Sequence, residues 1–125
     1  MHKVGFIVYP TFSTMNFVVA TVFETANQSF GSGAYEVELV SEYGGPVATS
    51  LGYEIQTSSF KRRKFDTILI AGGMNPPAAT PGLLKYLRFA VPRTRRVASI
   101  CTRALILAQA GLLDGRRATT HWQIR

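Results

Sequence analysis

"RVASICTRALILAQAG", residues 96–111, decides how this chain is read. A short apolar run, "RVASI", has the character of a buried strand, and "TRALILAQA" after it has that of an apolar helix. Gly111 closes that helix at its C-terminal cap. Between the two stands Cys101, the single cysteine of the chain. A thiol there is open to three readings: a nucleophile, part of a ligand pocket, or a small hydrophobe of the core.

The same alternation of strand and helix continues toward the N-terminus. "KVGFIVY" (Lys3–Tyr9) is continuously apolar, as a strand covered on both faces should be. After "PTF", Ser13 is placed to cap a helix reaching about Ser29, with Phe17, Val18, Val22, Phe23 and Ala26 on its inner face. "YEVELVS" (Tyr35–Ser41) alternates with period two. "EYGGPVATSLGYEIQTS" carries turn signals at Gly44–Gly45–Pro46 and Ser50–Leu51–Gly52, which suits a hairpin or two short edge strands. "FDTILIAGG" is another buried strand, and "PGLLKYLRFAV" a helix with Pro81 in its first turn. The order predicts an α/β fold, a mostly parallel sheet with helices on both faces.

Composition bounds the rest. A chain of 125 residues makes one domain, 1–125, and 46% hydrophobic content argues against disorder. One cysteine allows no internal disulfide, which fits a reducing compartment. No apolar run reaches bilayer length and the N-terminal strand is too short for a signal core, so a cytoplasmic location without membrane association is expected. The net charge of +7 is concentrated in "KRRK" (Lys61–Lys64), "RTRR" (Arg93–Arg96) and Arg116–Arg117. Such runs attract anions or nucleic acid, or are simply solvated loop and helix ends. No helix-turn-helix pattern, zinc-finger spacing or aromatic–basic interleaving accompanies them, and neither metal nor cofactor is expected.

Ligands of parallel α/β sheets bind outside the carboxyl ends of the strands. Those ends fall near Pro10, Gly72–Gly73 and Cys101, so three loops are predicted to converge. A helix N-terminus beside Cys101 favours the thiolate. Gly72 and Gly73 allow close backbone approach, and their amides with that of Thr102 suit an oxyanion site. His121, twenty residues beyond Cys101, is spaced to return to the same sheet edge and pair with the thiol. Each has a plainer alternative: a glycine pair that only turns the chain, and a histidine packed beside Trp122 or exposed.

"RRVASICTRALILAQAGLLDGRRATTHW" (residues 95–122) resembles the DJ-one/PfpI superfamily, also called class I glutamine amidotransferase-like. More narrowly it is similar to the N-terminal domain of AraC-type transcriptional regulators. "VGFIVYPTFSTMNF" resembles that branch's opening strand and helix, and "AGGMNPPAATPGLLKYLR" its middle; the likeness covers residues 3–122. It implies a flavodoxin-like three-layer α/β/α sandwich, commonly a homodimer. It also implies Cys101 at an elbow nucleophile, His121 as its partner, and Gly73 with the Thr102 backbone at oxyanion positions. Members of the wider superfamily include cysteine-dependent hydrolases and hydratases. The regulator-linked branch implies a sensor of small metabolites whose separate C-terminal domain binds DNA.

Three departures qualify that carry-over. Arg103 replaces the glycine two residues after the elbow, and either enters the pocket as a positive charge or lies along the helix surface. Asn16 stands where the wider superfamily has a glutamate, and an amide cannot shuttle a proton near neutral pH. In the plainer reading Asn16 helps Ser13 cap the helix, while Glu24 lies too far along to substitute. The chain also ends at "HWQIR", where the resemblance implies further strands, a helix and the DNA-binding domain. A domain C-terminally truncated in this way is expected to dimerise and not to bind a specific operator by itself.

The favoured expectation is a ligand-sensing domain of an AraC-type regulator that binds a small metabolite without turnover. Asn16, Gly72, Gly73, Cys101, Thr102, Arg103 and His121 would line its pocket. The alternative is a PfpI-type hydrolase or hydratase with Cys101 and His121 as catalytic residues. Direct nucleic-acid binding through the basic runs ranks third.

Overall fold

The computed structural model describes residues 1–31, 33–73, 78–100 and 111. Within them, the interior strand β1 (His2–Ile7) organises the sheet. It pairs in parallel with β2 (Tyr35–Ser41) on one side and β5 (Thr67–Ile70) on the other. β6 (Arg96–Ser99) adds to β5, again in parallel. Beyond β2 come β4 (Glu54–Ser59), also parallel, and β3 (Gly45–Ala48), which joins β4 as an antiparallel hairpin. The order is β3-β4-β2-β1-β5-β6. The hairpin reading of residues 42–58 thus holds, with β3 at the edge.

Side chains of successive strand residues point to opposite faces, which divides the core in two. Val4, Phe6, Val8 and Leu69 face helix α1 (Asn16–Phe30), where Phe17, Val19, Ala20 and Phe23 pack on them. Ile7, Val40, Ile68 and Ile70 face helix α2 (Pro81–Ala90), meeting Leu83, Tyr86, Leu87 and Ala90. This is the flavodoxin-like three-layer arrangement expected. Covering on both faces explains why β5 is buried at every position and runs apolar through Ile68–Ile70. Close packing also explains Gly5: a Cβ there would lie 2.5 Å from the Phe65 ring.

Helix α2 begins as its sequence predicts. Thr80 is the N-cap, its hydroxyl accepting the Leu83 N–H at 3.1 Å, and Pro81 occupies the first turn. A single 3-10 turn, Val91–Arg93, follows. Helix α1 departs from expectation in two ways. Its N-cap is Met15 and not Ser13, because Ser13–Thr14–Met15 forms a lead-in of tight turns: Asn16, Phe17 and Val18 donate to the carbonyls of Ser13, Thr14 and Met15. The Ser13 hydroxyl accepts only the Met15 N–H, at 3.3 Å, so Asn16 opens the helix instead of supporting a Ser13 cap. Its inner face is also rotated. Val18 and Val22 are exposed, while Val19 and Ala20 turn inward. The helix is locked in this phase by Asn16, which points into the sheet. The helix expected over residues 102–110 lies outside the described residues.

Candidate functional site at the carboxyl ends of the strands

β1 runs out through Val8 and Tyr9 into a loop that is fastened on both flanks. Toward the hairpin, Thr11 donates its N–H to Ala48 at 2.8 Å, and Ser50 donates to Phe12 at 2.9 Å. Thr11 itself adopts φ +70°, a left-handed conformation that non-glycine residues seldom hold without tertiary support. Toward β5, Ser13 donates its N–H to the Gly72 carbonyl at 3.0 Å.

Asn16 completes that second fastening. It is 4% exposed, and its amide is used in three directions. Nδ2 donates to the carbonyls of Ser13 at 2.6 Å and Gly72 at 2.8 Å, and Oδ1 accepts the Gly72 N–H at 3.0 Å. This pattern needs a group that both donates and accepts. An ionised carboxylate would set negative oxygens against two carbonyls. Asparagine therefore matches the backbone around it, and the side chain is spent on joining the start of α1 to the end of β5.

Gly73 follows directly. A Cβ at this position would lie 3.4 Å from the Tyr9 hydroxyl and 3.8 Å from the Thr11 carbonyl. The end of β5 thus lies within van der Waals reach of the β1 loop. On the other side of β5, the Ile100 N–H donates to the Ile70 carbonyl at 3.0 Å, carrying β6's line to the same end of the sheet. Asn16, Gly72 and Gly73 are thus brought together. Cys101, Thr102, Arg103 and His121 lie outside the described residues.

A cavity of about 460 Å³ opens beside this junction, at the carboxyl ends of β1 and β2. Ile7, Tyr9, Phe60 and Leu83 give it apolar walls, while Glu42 and Thr80 supply polar groups. Thr80 donates its hydroxyl hydrogen to Glu42 Oε1 at 2.6 Å, so the loop after β2 is held against the N-terminus of α2, where a carboxylate is favoured. Sequence reasoning did not single out this wall. The Pro81 helix start is legible, but the partnership of Thr80 with Glu42, 38 residues away, has no local signature. Among the described residues no three His, Cys, Asp or Glu side chains gather as a metal site. None of the described helices is long and apolar enough to cross a membrane.

The model of the DJ-1/PfpI family matches residues 2–125. The chain belongs to the DJ-1/PfpI family. It is similar to the HTH-type transcriptional regulator CdhR of Pseudomonas aeruginosa, with 36% identity over 121 residues, covering 94% of this chain and 36% of the regulator. It is also similar to the isonitrile hydratase of Pseudomonas putida, with 37% identity over 91 residues, covering 70% of this chain and 40% of the hydratase. Among solved structures, an AraC family transcriptional regulator from Pseudomonas putida superposes with a TM-score of 0.86 at 26% identity, covering all of this chain and 69% of that one. The chain therefore spans well under half the length of either named relative. DJ-1/PfpI membership accounts for the mostly parallel sheet covered on both faces, and regulators similar to this chain carry a domain of this kind.

Proposed function

We propose that this chain is the ligand-sensing domain of an AraC-type transcriptional regulator, binding a small metabolite without turnover. Its site would be the elbow pocket of Gly72, Gly73, Cys101, Thr102, Arg103 and His121, with Asn16 behind it. One observation carries the reading. Asn16 is committed to three backbone hydrogen bonds and has no titratable proton to offer near neutral pH, so the position builds shape and not acid–base chemistry. Similarity to regulators over nearly the whole chain supports the same class.

In this reading the domain works in the cytoplasm as a homodimer, and the metabolite shifts the packing between two copies. Met15, Val18 and Val22 form one exposed apolar stripe along α1, which suits a partner surface. A separate DNA-binding domain reads the change. The test is a thermal-shift screen of small metabolites, followed by product analysis of each compound that stabilises the chain. Saturable stabilisation with the compound recovered intact is the expected result. Conversion of a bound compound, lost in Cys101→Ser, overturns it.

The second reading, a cysteine-dependent hydrolase or hydratase, is favoured by the similarity to an isonitrile hydratase. It requires Cys101 to be a thiolate activated by His121. Alkylation of Cys101 across pH, in wild type and His121→Ala, decides it. A thiol that titrates well below about 8.5 and loses that shift without His121 supports the enzyme. An ordinary thiol indifferent to His121 removes it.

A further inference from the structure

The two central basic runs, Lys61–Lys64 and Arg93–Arg96, hold seven of the chain's fourteen basic residues, and neither the site nor the sensing role uses them. The fold brings them together. One run is the turn that enters β5 and the other the turn that enters β6. These strands are parallel neighbours with Thr67 opposite Arg96. Arg93–Arg96 therefore sits at the amino end of the sheet, opposite Gly72, and Lys61–Lys64 lies on the connection that returns to that end from Phe60, beside the carboxyl end of β2. Lys61, Arg62, Lys64, Arg93, Arg95 and Arg96 are all exposed.

Arg62 and Arg93 meet on a single ring. Their guanidinium carbons lie 4.2 and 4.4 Å from the centroid of Phe89. Arg93 Nη1 also donates to the Phe89 carbonyl at 2.6 Å. Two like charges are thus held within about 10 Å, one Debye length at moderate salt, where mutual repulsion would otherwise spread them. A guanidinium carries five N–H donors, so the ring contact and the one backbone bond of Arg93 leave donors for an anion. Of the acidic side chains nearby, Glu38 pairs with Arg63 and Asp66 accepts the Lys3 backbone N–H at 2.8 Å.

We propose that this face docks on the sugar–phosphate backbone of duplex DNA, independently of base sequence. A regularly spaced row of phosphates complements a wide, exposed cationic face better than a single small anion does. The class of partner follows from the similarity to DNA-binding regulators. The site at the other end of the sheet plays no part, so the proposal stands or falls apart from metabolite sensing.

The test is fluorescence anisotropy of the whole chain on a labelled duplex of arbitrary sequence, from about 50 to about 200 mM salt. Binding should weaken with a log–log slope of about 0.9 for each phosphate neutralised. Arg62→Gln with Arg93→Gln should reduce that slope by about two, and the paired lysine substitutions should largely restore it. Circular dichroism verifies that every variant is folded. An unchanged slope in the glutamine pair overturns the proposal. Tighter binding to phosphatidylserine vesicles or single-stranded RNA than to the duplex also overturns it.

Discussion

The side chain of Asn16 and the peptide of Gly72, 56 residues apart, exchange a reciprocal pair of hydrogen bonds in the buried interior. The first helix is thereby tied to the end of β5 by one side chain with no spare polar atom. Asn16→Ala should cost about 1–3 kcal/mol, because the Gly72 N–H is left buried without its acceptor. Denaturant unfolding gives the loss, and hydrogen exchange at Gly72 should quicken with it. The Asn16→Asp variant should show a pH dependence of definite sign. Two facing carbonyls favour the protonated acid, so its folded-state pKa rises above the unfolded value. The folded chain then binds the proton more tightly, and stability falls as pH rises through that window. The deficit relative to wild type should be smaller near about pH 4 than near about pH 8.

Gly5 offers a purely steric test. With a Cβ 2.5 Å from the Phe65 ring, Gly5→Ala must push a buried aromatic aside. A cost of about 1–3 kcal/mol is expected. Phe65→Leu makes room, so the double variant should lose less than the two single losses together. Strict additivity would show that the ring is not the obstacle.

Tyr86 predicts an alkaline limb in the stability profile. Burial pushes its phenol up from 10.0 to about 12, and its hydroxyl donates to the Arg63 carbonyl at 2.8 Å. Above the unfolded value the unfolded chain ionises first, so stability is lost as pH rises through this window. Tyr86→Phe should cost about 1 kcal/mol near neutrality. It should also flatten the decline above about pH 10, as read from urea midpoints across the alkaline range.

Thr80 caps α2 and holds Glu42 at once. Thr80→Ala should lower stability by about 1 kcal/mol, and Thr80→Ser should restore most of it. Glu42→Gln keeps an acceptor for the hydroxyl and should cost less than Thr80→Ala. Thermal midpoints of the three variants provide the comparison.

The strands and α2 were legible because each carries its own signal. Tyr35–Ser41 alternates, Ile68–Ile70 is uniformly apolar, and Pro81 announces a helix start. The phase of α1 was not. "FVVATVF" is apolar around most of the helix, so periodicity cannot choose between Val18 and Val19 as the inward residue. That choice is made by Asn16, whose partners are backbone groups and leave no trace in residue identity. The same limit hid the Glu42 wall of the cavity. At the site, the strand ends told where Gly72 and Gly73 would lie but not how Asn16 would be used.

The sheet order also sets a schedule for assembly. β3 and β4 are close in sequence and can pair on contact, a local event on the microsecond scale of hairpins. β1 emerges first during synthesis, yet one of its two partners, β5, begins near Thr67 and comes much later. Until then its inner edge stays open to pairing with other chains. The first strand made is among the last to be sealed, so the newborn chain is most vulnerable to aggregation between the arrival of β2 and that of β5.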